Sequence, residues 1–282
     1  MPLFLAVSCI MRKKSIGIGV ALVILSLSVL NSAGWAKTFF GEIPTGMLEL
    51  TEFKHPVYLF VPPTYQPAQP YPLLIALPGE NMKPAEYAEK WTSFAKRKSV
   101  IVLVPTLMIS RDADDVPTQG DKWILRLKNE VMSRYQISDR RVFLVGEGTS
   151  TAYAAYLGLR YPAEFSGVAL LGGAWGGPLE KLTELSSKPE RQIPFFVSLA
   201  ENTDPIELDL VEAQAMKLTN LGYPVYMEKL EKGEDFQLQD FRKRMFEWLE
   251  TKADRWRDVI LESEKSPKEK ISVWAKNFFK VN

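Results

Sequence analysis

Short runs of apolar, mostly β-branched residues alternate with longer amphipathic segments, and this alternation constrains the fold more than any other feature. After Lys37, seven such runs predict strands and five segments of helical period predict helices. Apolar strands separated by amphipathic helices are typical of βαβ units, in which a parallel sheet is buried on both faces. Right-handed crossovers then give a doubly wound α/β domain with a mainly parallel sheet flanked by helices.

The predicted strands are Val57–Val61, Pro72–Leu77, Val100–Val104, Arg141–Val145, Ser166–Leu171, Pro194–Leu199 and Pro224–Leu230. The predicted helices are Pro84–Lys98, Gln119–Tyr135, Thr149–Arg160, Glu207–Leu221 and Leu238–Lys252. No repeat, linker or change of composition marks a second domain, so we expect one domain over 37–252 and no large lid domain. Surface loops are predicted at 62–67 and 176–192. The charged tail, 253–282, is predicted to be a helical C-terminal extension.

The first 36 residues have the layout of a secretory signal peptide. A basic cluster at 12–14 precedes the apolar run Ile16–Leu30, which is shorter than the roughly 20 residues of a membrane-spanning helix. Gly34 and Ala36 then provide the small residues typical of a cleavage site before Lys37. We therefore expect a secreted or periplasmic protein with no stable membrane span after signal cleavage. An uncleaved N-terminal anchor is the alternative.

Charge and composition exclude several classes of function. Lys+Arg 35 against Asp+Glu 34 gives no strong positive field, so a nucleic-acid partner is not expected. The chain has one cysteine, Cys9, and one histidine, His55. An internal disulfide and a Cys/His zinc site are therefore excluded, and we expect no cofactor.

Five short stretches of the sequence match the pattern of a known family. They are 58–63 (YLFVPP), 71–79 (YPLLIALPG), 141–146 (RVFLVG), 159–162 (LRYP) and 165–168 (FSGV). Together they resemble the α/β-hydrolase esterases. The branch they resemble most is the secreted one that holds polyhydroxybutyrate depolymerases, feruloyl esterases and dienelactone hydrolase-like proteins. The resemblance extends over most of the chain after residue 37 and implies an α/β-hydrolase fold.

The resemblance also implies where a nucleophile would be. The family carries its serine in a Gly-x-Ser-x-Gly elbow, a strained turn between a strand and a helix. The corresponding turn here is Gly146-Glu147-Gly148-Thr149-Ser150. An alignment without gaps puts Gly148 at the serine position, whereas a register shifted by two residues would make Ser150 the nucleophile. The structural alternative is that Thr149 and Ser150 cap the helix by accepting first-turn N–H groups.

The other parts of the family's catalytic machinery also differ in this sequence. Asp204 occupies the place of the family's acid, but Glu234 and Asp235 stand where its histidine should be. A carboxylate is a weak general base for serine, because its unperturbed pKa is about 4. The His-Gly of the family's oxyanion loop is changed to Pro78-Gly79. These differences predict that the catalytic triad is missing.

Several carboxylates are predicted to lie at the same edge of the sheet, near a candidate aromatic wall. The carboxylates are Glu80, Glu147, Asp204, Glu234 and Asp235. If they converge, they form an acidic pocket that would suit calcium or magnesium rather than zinc; otherwise they are solvated loop charges. Trp175 is expected either to wall the same pocket or to belong to the core. His55 is expected to be a surface or structural histidine.

These observations favour an exported protein of α/β-hydrolase fold that has lost ester hydrolysis and acts by binding. Its ligand would be a small molecule, a glycan or another protein of the cell envelope. One alternative is an active esterase that uses Ser150 as nucleophile with Asp235 or Glu234 as base. The other is a metal-assisted hydrolase that uses the acidic residues.

Overall fold

The computed structural model describes residues 43–107, 120–175 and 192–264, with side chains described up to 253. The predicted signal peptide, most of the predicted loop 176–192 and the end of the predicted tail lie outside these ranges. Within them, no helix is both long and apolar enough to cross a membrane.

The described strands are β1 (Gly46–Glu49), β2 (Val57–Val61), β3 (Tyr71–Leu77), β4 (Ile101–Pro105), β5 (Ile137–Glu147), β6 (Gly167–Leu171), β7 (Phe195–Leu199) and β8 (Val225–Lys229). The described α-helices are α1 (Pro84–Lys98), α2 (Gly120–Arg134), α3 (Thr151–Arg160), α4 (Pro205–Asn220) and α5 (Gln239–Glu264). A single 3₁₀ turn, Gly148–Ser150, joins β5 to α3. The helix α5 continues without a break past residue 252 into the predicted C-terminal extension.

All eight strands form one sheet in the order β1-β2-β4-β3-β5-β6-β7-β8. Strands β3 to β8 pair in parallel, whereas β2 runs antiparallel to β4 and β1 runs antiparallel to β2. The doubly wound, mainly parallel sheet predicted from the sequence is confirmed. β1 was not predicted, because it is a four-residue edge strand that exposes alternate residues and has no buried apolar run.

Helices cover both faces of this sheet. On one face, Phe246 of α5 packs edge-to-face against Phe94 of α1 and Phe143 of β5, at 5.4 Å between ring centres in each pair. On the opposite face, α3 lies directly on β6. A Cβ on Gly158 would be 2.5 Å from Val168 Cγ2, so a glycine is needed for this close contact. Both sheet faces are therefore buried, which explains the apolar character of the strands.

The winding of the chain changes direction between β3 and β5. From β3 the chain crosses through α1 to β4, and from β4 it returns through α2 to β5 on the other side of β3. The helices that follow β3 and β5 lie on opposite faces of the sheet. In open α/β sheets, ligands bind in the crevice at such a switch point.

Candidate functional site

The turn after β5 has the backbone of a nucleophile elbow. Its apex is Gly148, whose φ of 60° lies in the left-handed region. A Cβ on Gly146 would lie 2.6 Å from the Ser150 carbonyl oxygen and 2.8 Å from Ala154 Cβ, so the start of α3 folds tightly back on β5. A Cβ on Gly148 would meet nothing within 4 Å. The apex therefore has room for a side chain but carries none.

Ser150 lies in the interior beneath this turn. Its exposed fraction is 0%. Its Oγ accepts the backbone N–H of Glu147 at 2.8 Å and donates to the carbonyl oxygen of Leu77 at 2.8 Å. The hydroxyl thus connects β5 to the end of β3, and it does not face the crevice as a nucleophile must.

We expect Ser150→Ala to lower the free energy of unfolding by about 1–3 kcal/mol, because the buried Glu147 N–H and Leu77 carbonyl would both lose their partner. Urea unfolding measures this loss. Ser133→Ala is the matched control, since Ser133 is exposed and bonds only within its own helix turn. Its expected change is within about 0.5 kcal/mol. Equal effects of the two variants would contradict a structural role for Ser150.

Thr149 and Ser150 do not cap α3 in the predicted way. Ser150 is at the N-cap position of α3 but its side chain caps no N–H of that helix. Glu147 is the N-cap of the 3₁₀ turn, where its carboxylate accepts the Ser150 N–H while Ser150 Oγ accepts the Glu147 N–H, a reciprocal capping box. Thr149 Oγ1 instead accepts the N–H of Glu80, from the loop after β3, at 2.8 Å. The predicted hydrogen-bond partners of Thr149 and Ser150 were wrong, because local spacing does not reveal that a second loop lies against the turn.

The bond between Thr149 and Glu80 changes the chemistry of the crevice. In α/β-hydrolases, the oxyanion hole uses the N–H of the residue after the nucleophile and an N–H from the loop after the third strand. The Glu80 N–H of that loop is held here by the Thr149 hydroxyl. Pro78 and Gly79 are buried beside it, and a Cβ on Gly79 would be 2.7 Å from the Glu147 carbonyl oxygen. The loop is therefore packed closely onto the elbow.

Two of the carboxylates predicted to converge at this edge are instead engaged in local hydrogen bonds or an ion pair. Asp204 is exposed and caps α4 by accepting the Ile206 N–H at 2.8 Å. Glu234 accepts the N–H of Glu231 at 3.0 Å and lies 3.3 Å from the Arg244 guanidinium, and these contacts lower its pKa.

Two of the predicted carboxylates do influence one another. The charge of the exposed Asp235 contributes to raising the pKa of Glu147, so these two groups lie near each other. Glu80 is exposed beside the elbow. Among the residues that the structure describes, no group of three or more His, Cys, Asp or Glu side chains could hold a metal ion.

Glu147 is the buried acid of the site, with an exposed fraction of 6%. Burial raises the pKa of its carboxyl, while the nearby Tyr87 hydroxyl and Arg242 guanidinium oppose that rise. Arg242 itself is fully buried, and desolvation lowers its pKa. It lies 3.8 Å from the ring centre of Trp91 and donates from Nε to the Phe236 carbonyl oxygen at 3.0 Å. Its Nη1 donates to the Lys90 carbonyl oxygen.

The sequence analysis missed Tyr87, Trp91 and Arg242. A signal for the arginine was present, because Arg242 stands three residues before Met245 and seven before Leu249, on the apolar stripe of α5. A charged residue at such a position is buried only when it has partners. No comparable signal distinguishes the two aromatic residues from ordinary core.

Burial of Glu147 makes stability depend on pH in a defined direction. Because burial raises the folded-state pKa above the ordinary value of 4.5, protonation favours the folded state, and stability falls as the pH rises from about 4.5 through the folded-state pKa. In Glu147→Gln this contribution disappears. We therefore expect the variant to gain stability relative to the parent protein as the pH increases, measured by unfolding at a series of pH values. A constant difference between the two proteins would contradict the raised pKa.

Trp175 and the loop after β6 also border the elbow. A Cβ on Gly173 would be 2.3 Å from the Gly148 carbonyl oxygen, so the loop passes directly against the apex. Trp175 has an exposed fraction of 0%, and its backbone N–H donates to Gln214 Oε1 at 3.0 Å. Trp175 was predicted either to line the acidic pocket or to belong to the core, and its complete burial favours the core.

His55 lies at the same edge of the sheet as the elbow but at a distance from it. Strand β2 is antiparallel, so its first residue, Val57, pairs with Pro105 at the carboxyl end of β4. Three strand spacings separate β2 from β5, which is about 14 Å. The imidazole therefore lies beyond hydrogen-bond reach of a side chain at the Gly148 position.

The sheet order, the elbow at the switch point and the helices on both faces define an α/β-hydrolase fold, which confirms the fold expected from the resemblance. Among the described residues there is no large lid. No family model matches the chain, and no curated protein does. Solved structures of serine hydrolases and esterases are similar to it.

Three of these structures illustrate the similarity. The fluorophosphonate-binding serine hydrolase FphF of Staphylococcus aureus has a TM-score of 0.59 at 13% identity, over 73% of this chain and 98% of its own. A fungal esterase from Rhizomucor miehei has a TM-score of 0.53 at 15% identity, over 82% and 92%. A ferulic acid esterase has a TM-score of 0.55 at 14% identity, over 69% and 91%. At such identities the similarity establishes the fold, and the chemistry is judged from this chain's own residues.

Proposed function

We propose that this protein is an exported α/β-hydrolase-fold protein that binds a ligand beside the elbow, at the carboxyl edge of the sheet, and does not hydrolyse esters. The observation that supports this most directly is Gly148, which stands at the apex of the elbow in the conformation a nucleophile would adopt. Export is supported by the signal-peptide layout of residues 1–36.

Serine-dependent ester hydrolysis needs a nucleophile, a base and an oxyanion hole. The apex of the elbow has no side chain, and the Ser150 hydroxyl is committed to backbone groups. Carboxylates replace the histidine, and the Glu80 N–H is occupied by Thr149. Together these features support a protein that retains the elbow but not the reaction.

The exposed groups at the crevice favour one kind of ligand. The carboxylates of Glu80 and Asp235 are both exposed near the elbow, and ionised carboxylates accept hydrogen bonds but do not donate them. They suit a ligand rich in hydroxyl or amino groups, such as a glycan or a small polyol, rather than an acyl chain. A protein of the cell envelope is the alternative ligand.

The first test is ester hydrolysis by the mature chain from Lys37 against short and long acyl esters, together with labelling by a fluorophosphonate reagent. We expect neither turnover nor labelling, and Gly148→Ser is expected to add no turnover because a histidine base is missing. Turnover that disappears with Ser150→Ala would instead establish an esterase. Turnover that is lost with a chelator and restored by a divalent cation would establish a metal-assisted hydrolase.

Binding is tested with a panel of oligosaccharides and polyols, using the shift in thermal unfolding that a ligand of the folded state produces. Asp235→Asn and Glu80→Gln are expected to weaken the shift. Glu86→Gln is the matched control, because Glu86 is an exposed acid of α1 that pairs with Lys83. A shift that is equally weakened by all three variants would contradict binding at the elbow.

A further inference from the structure

Beneath the elbow, four buried polar side chains from three elements lie close together, and we name them the sub-elbow cluster. Tyr87 and Trp91 belong to α1, Glu147 to the end of β5 and Arg242 to α5. Their exposed fractions are 1%, 0%, 6% and 0%. The guanidinium lies 3.8 Å from the Trp91 ring centre, and the Tyr87 and Trp91 ring centres are 6.1 Å apart. The carboxylate is near enough to Tyr87 and Arg242 for each to affect the pKa of the others.

Each member of the cluster has one polar atom with no hydrogen bond of good geometry in the described part of the chain. These atoms are the Tyr87 hydroxyl, Trp91 Nε1, Glu147 Oε2 and Arg242 Nη2. The Tyr87 hydroxyl lies close enough to the Glu147 carboxylate and to Trp91 for both to influence its pKa, which burial raises. Most buried polar groups in proteins have a partner, because leaving one without a partner is costly. Four such atoms in one cluster point to a shared partner that the protein chain does not supply.

The chemistry of these atoms specifies that partner. Trp91 Nε1 and Arg242 Nη2 can only donate, and Glu147 Oε2 accepts. Arg242 is held by its bonds to the Phe236 and Lys90 carbonyl oxygens and by its contact with Trp91, so it is not free to turn toward the carboxylate. A water molecule can accept from both N–H groups and donate to the carboxylate oxygen.

We propose that the sub-elbow cluster is an internal water-binding site, in which ordered water joins Glu147 Oε2 to Trp91 Nε1 and Arg242 Nη2. This water would connect the elbow to α1 and α5. The paired charges favour water over an ion, because Arg242 repels a cation and Glu147 repels an anion. Side chains this deeply buried also restrict the occupant to a small molecule. The proposal does not depend on which ligand the crevice binds.

The test is water-to-protein magnetisation transfer in the purified protein, observed at the indole N–H of Trp91. We expect a strong cross-peak from bound water, assigned by its disappearance in Trp91→Phe. Glu147→Leu removes the acceptor and should abolish the transfer at Trp91, whereas Glu147→Gln keeps an acceptor oxygen and should retain it. Glu86→Leu, on the exposed face of α1, is the matched control and should change nothing. An absent cross-peak in the parent protein would overturn the proposal.

A crystal structure supplies an independent readout that does not require the variants to fold. The expected result is ordered water about 3 Å from Trp91 Nε1, Arg242 Nη2 and Glu147 Oε2. A direct ion pair between Arg242 and Glu147 without water would overturn the proposal. A chloride or carboxylate anion at the same place would also overturn it.

Discussion

Gly146→Ala is expected to lower the free energy of unfolding by about 3 kcal/mol, because the added Cβ has no space in the elbow. It would lie 2.6 Å from the Ser150 carbonyl oxygen and 2.8 Å from Ala154 Cβ. The first contact is with backbone, which yields only if β5 and α3 move apart. Urea or thermal unfolding measures the loss. For a domain of this size the loss corresponds to a decrease in Tm of about 10 °C.

The matched control is Gly148→Ala, two residues away in the same turn. A Cβ at this position meets nothing within 4 Å, so the cost is the left-handed backbone alone, about 1–2 kcal/mol. The comparison separates steric exclusion at Gly146 from backbone strain at the apex. If Gly148→Ala were the more damaging change, the tight packing of α3 onto β5 would be contradicted.

Arg242→Met is expected to lower the free energy of unfolding by about 3–5 kcal/mol, because two hydrogen bonds of a buried guanidinium, each worth about 1.5–3 kcal/mol, are lost together. The change keeps most of the side-chain volume but leaves the Phe236 and Lys90 carbonyl oxygens without their donor. It also removes the Arg242 charge that favours the ionised form of the buried Glu147 carboxylate, leaving the weaker influence of Lys90. Combining it with Glu147→Gln should recover part of the loss, which a double-mutant cycle measures.

Arg244→Met is the control for this prediction, since Arg244 lies two residues further along α5. It is partly exposed and forms ion pairs with Glu228 at 3.1 Å and with Glu234 at 3.3 Å. Such surface pairs contribute about 0–1 kcal/mol. A loss of similar size in the two arginine variants would show that Arg242 contributes only as a surface charge does.

The elbow of this protein has a glycine at its apex. The backbone conformation at Gly148 is retained, yet the neighbouring hydroxyls serve structure. Ser150 connects β5 to β3, and Thr149 connects the elbow to the loop after β3. The elbow is thereby stabilised by its bonds to β3 and to the loop after β3.

The candidate site was only partly predictable from the sequence. The resemblance to the α/β-hydrolase esterases placed Gly148 at the apex, in an alignment without gaps, and Asp204 after β7. Spacing could not show that Asp204 caps α4 or that Glu234 pairs with Arg244, since these bonds depend on which loop or helix lies beside each carboxylate. Of the predicted acidic residues, Glu80, Glu147 and Asp235 therefore remain near the elbow.

The sequence by itself determined the class of fold and the absence of a side chain at the elbow apex. Burial on both faces of a parallel sheet requires continuous apolar strands, and amphipathic helices must alternate with them, so this architecture is encoded in local periodicity. The tertiary structure alone decided that β2 runs antiparallel, that Ser150 is enclosed and that Arg242 lies inside the protein. The periodic pattern of apolar residues indicates which positions of a strand or helix are buried. Strand direction and hydrogen-bond partners arise from contacts between segments far apart in the chain.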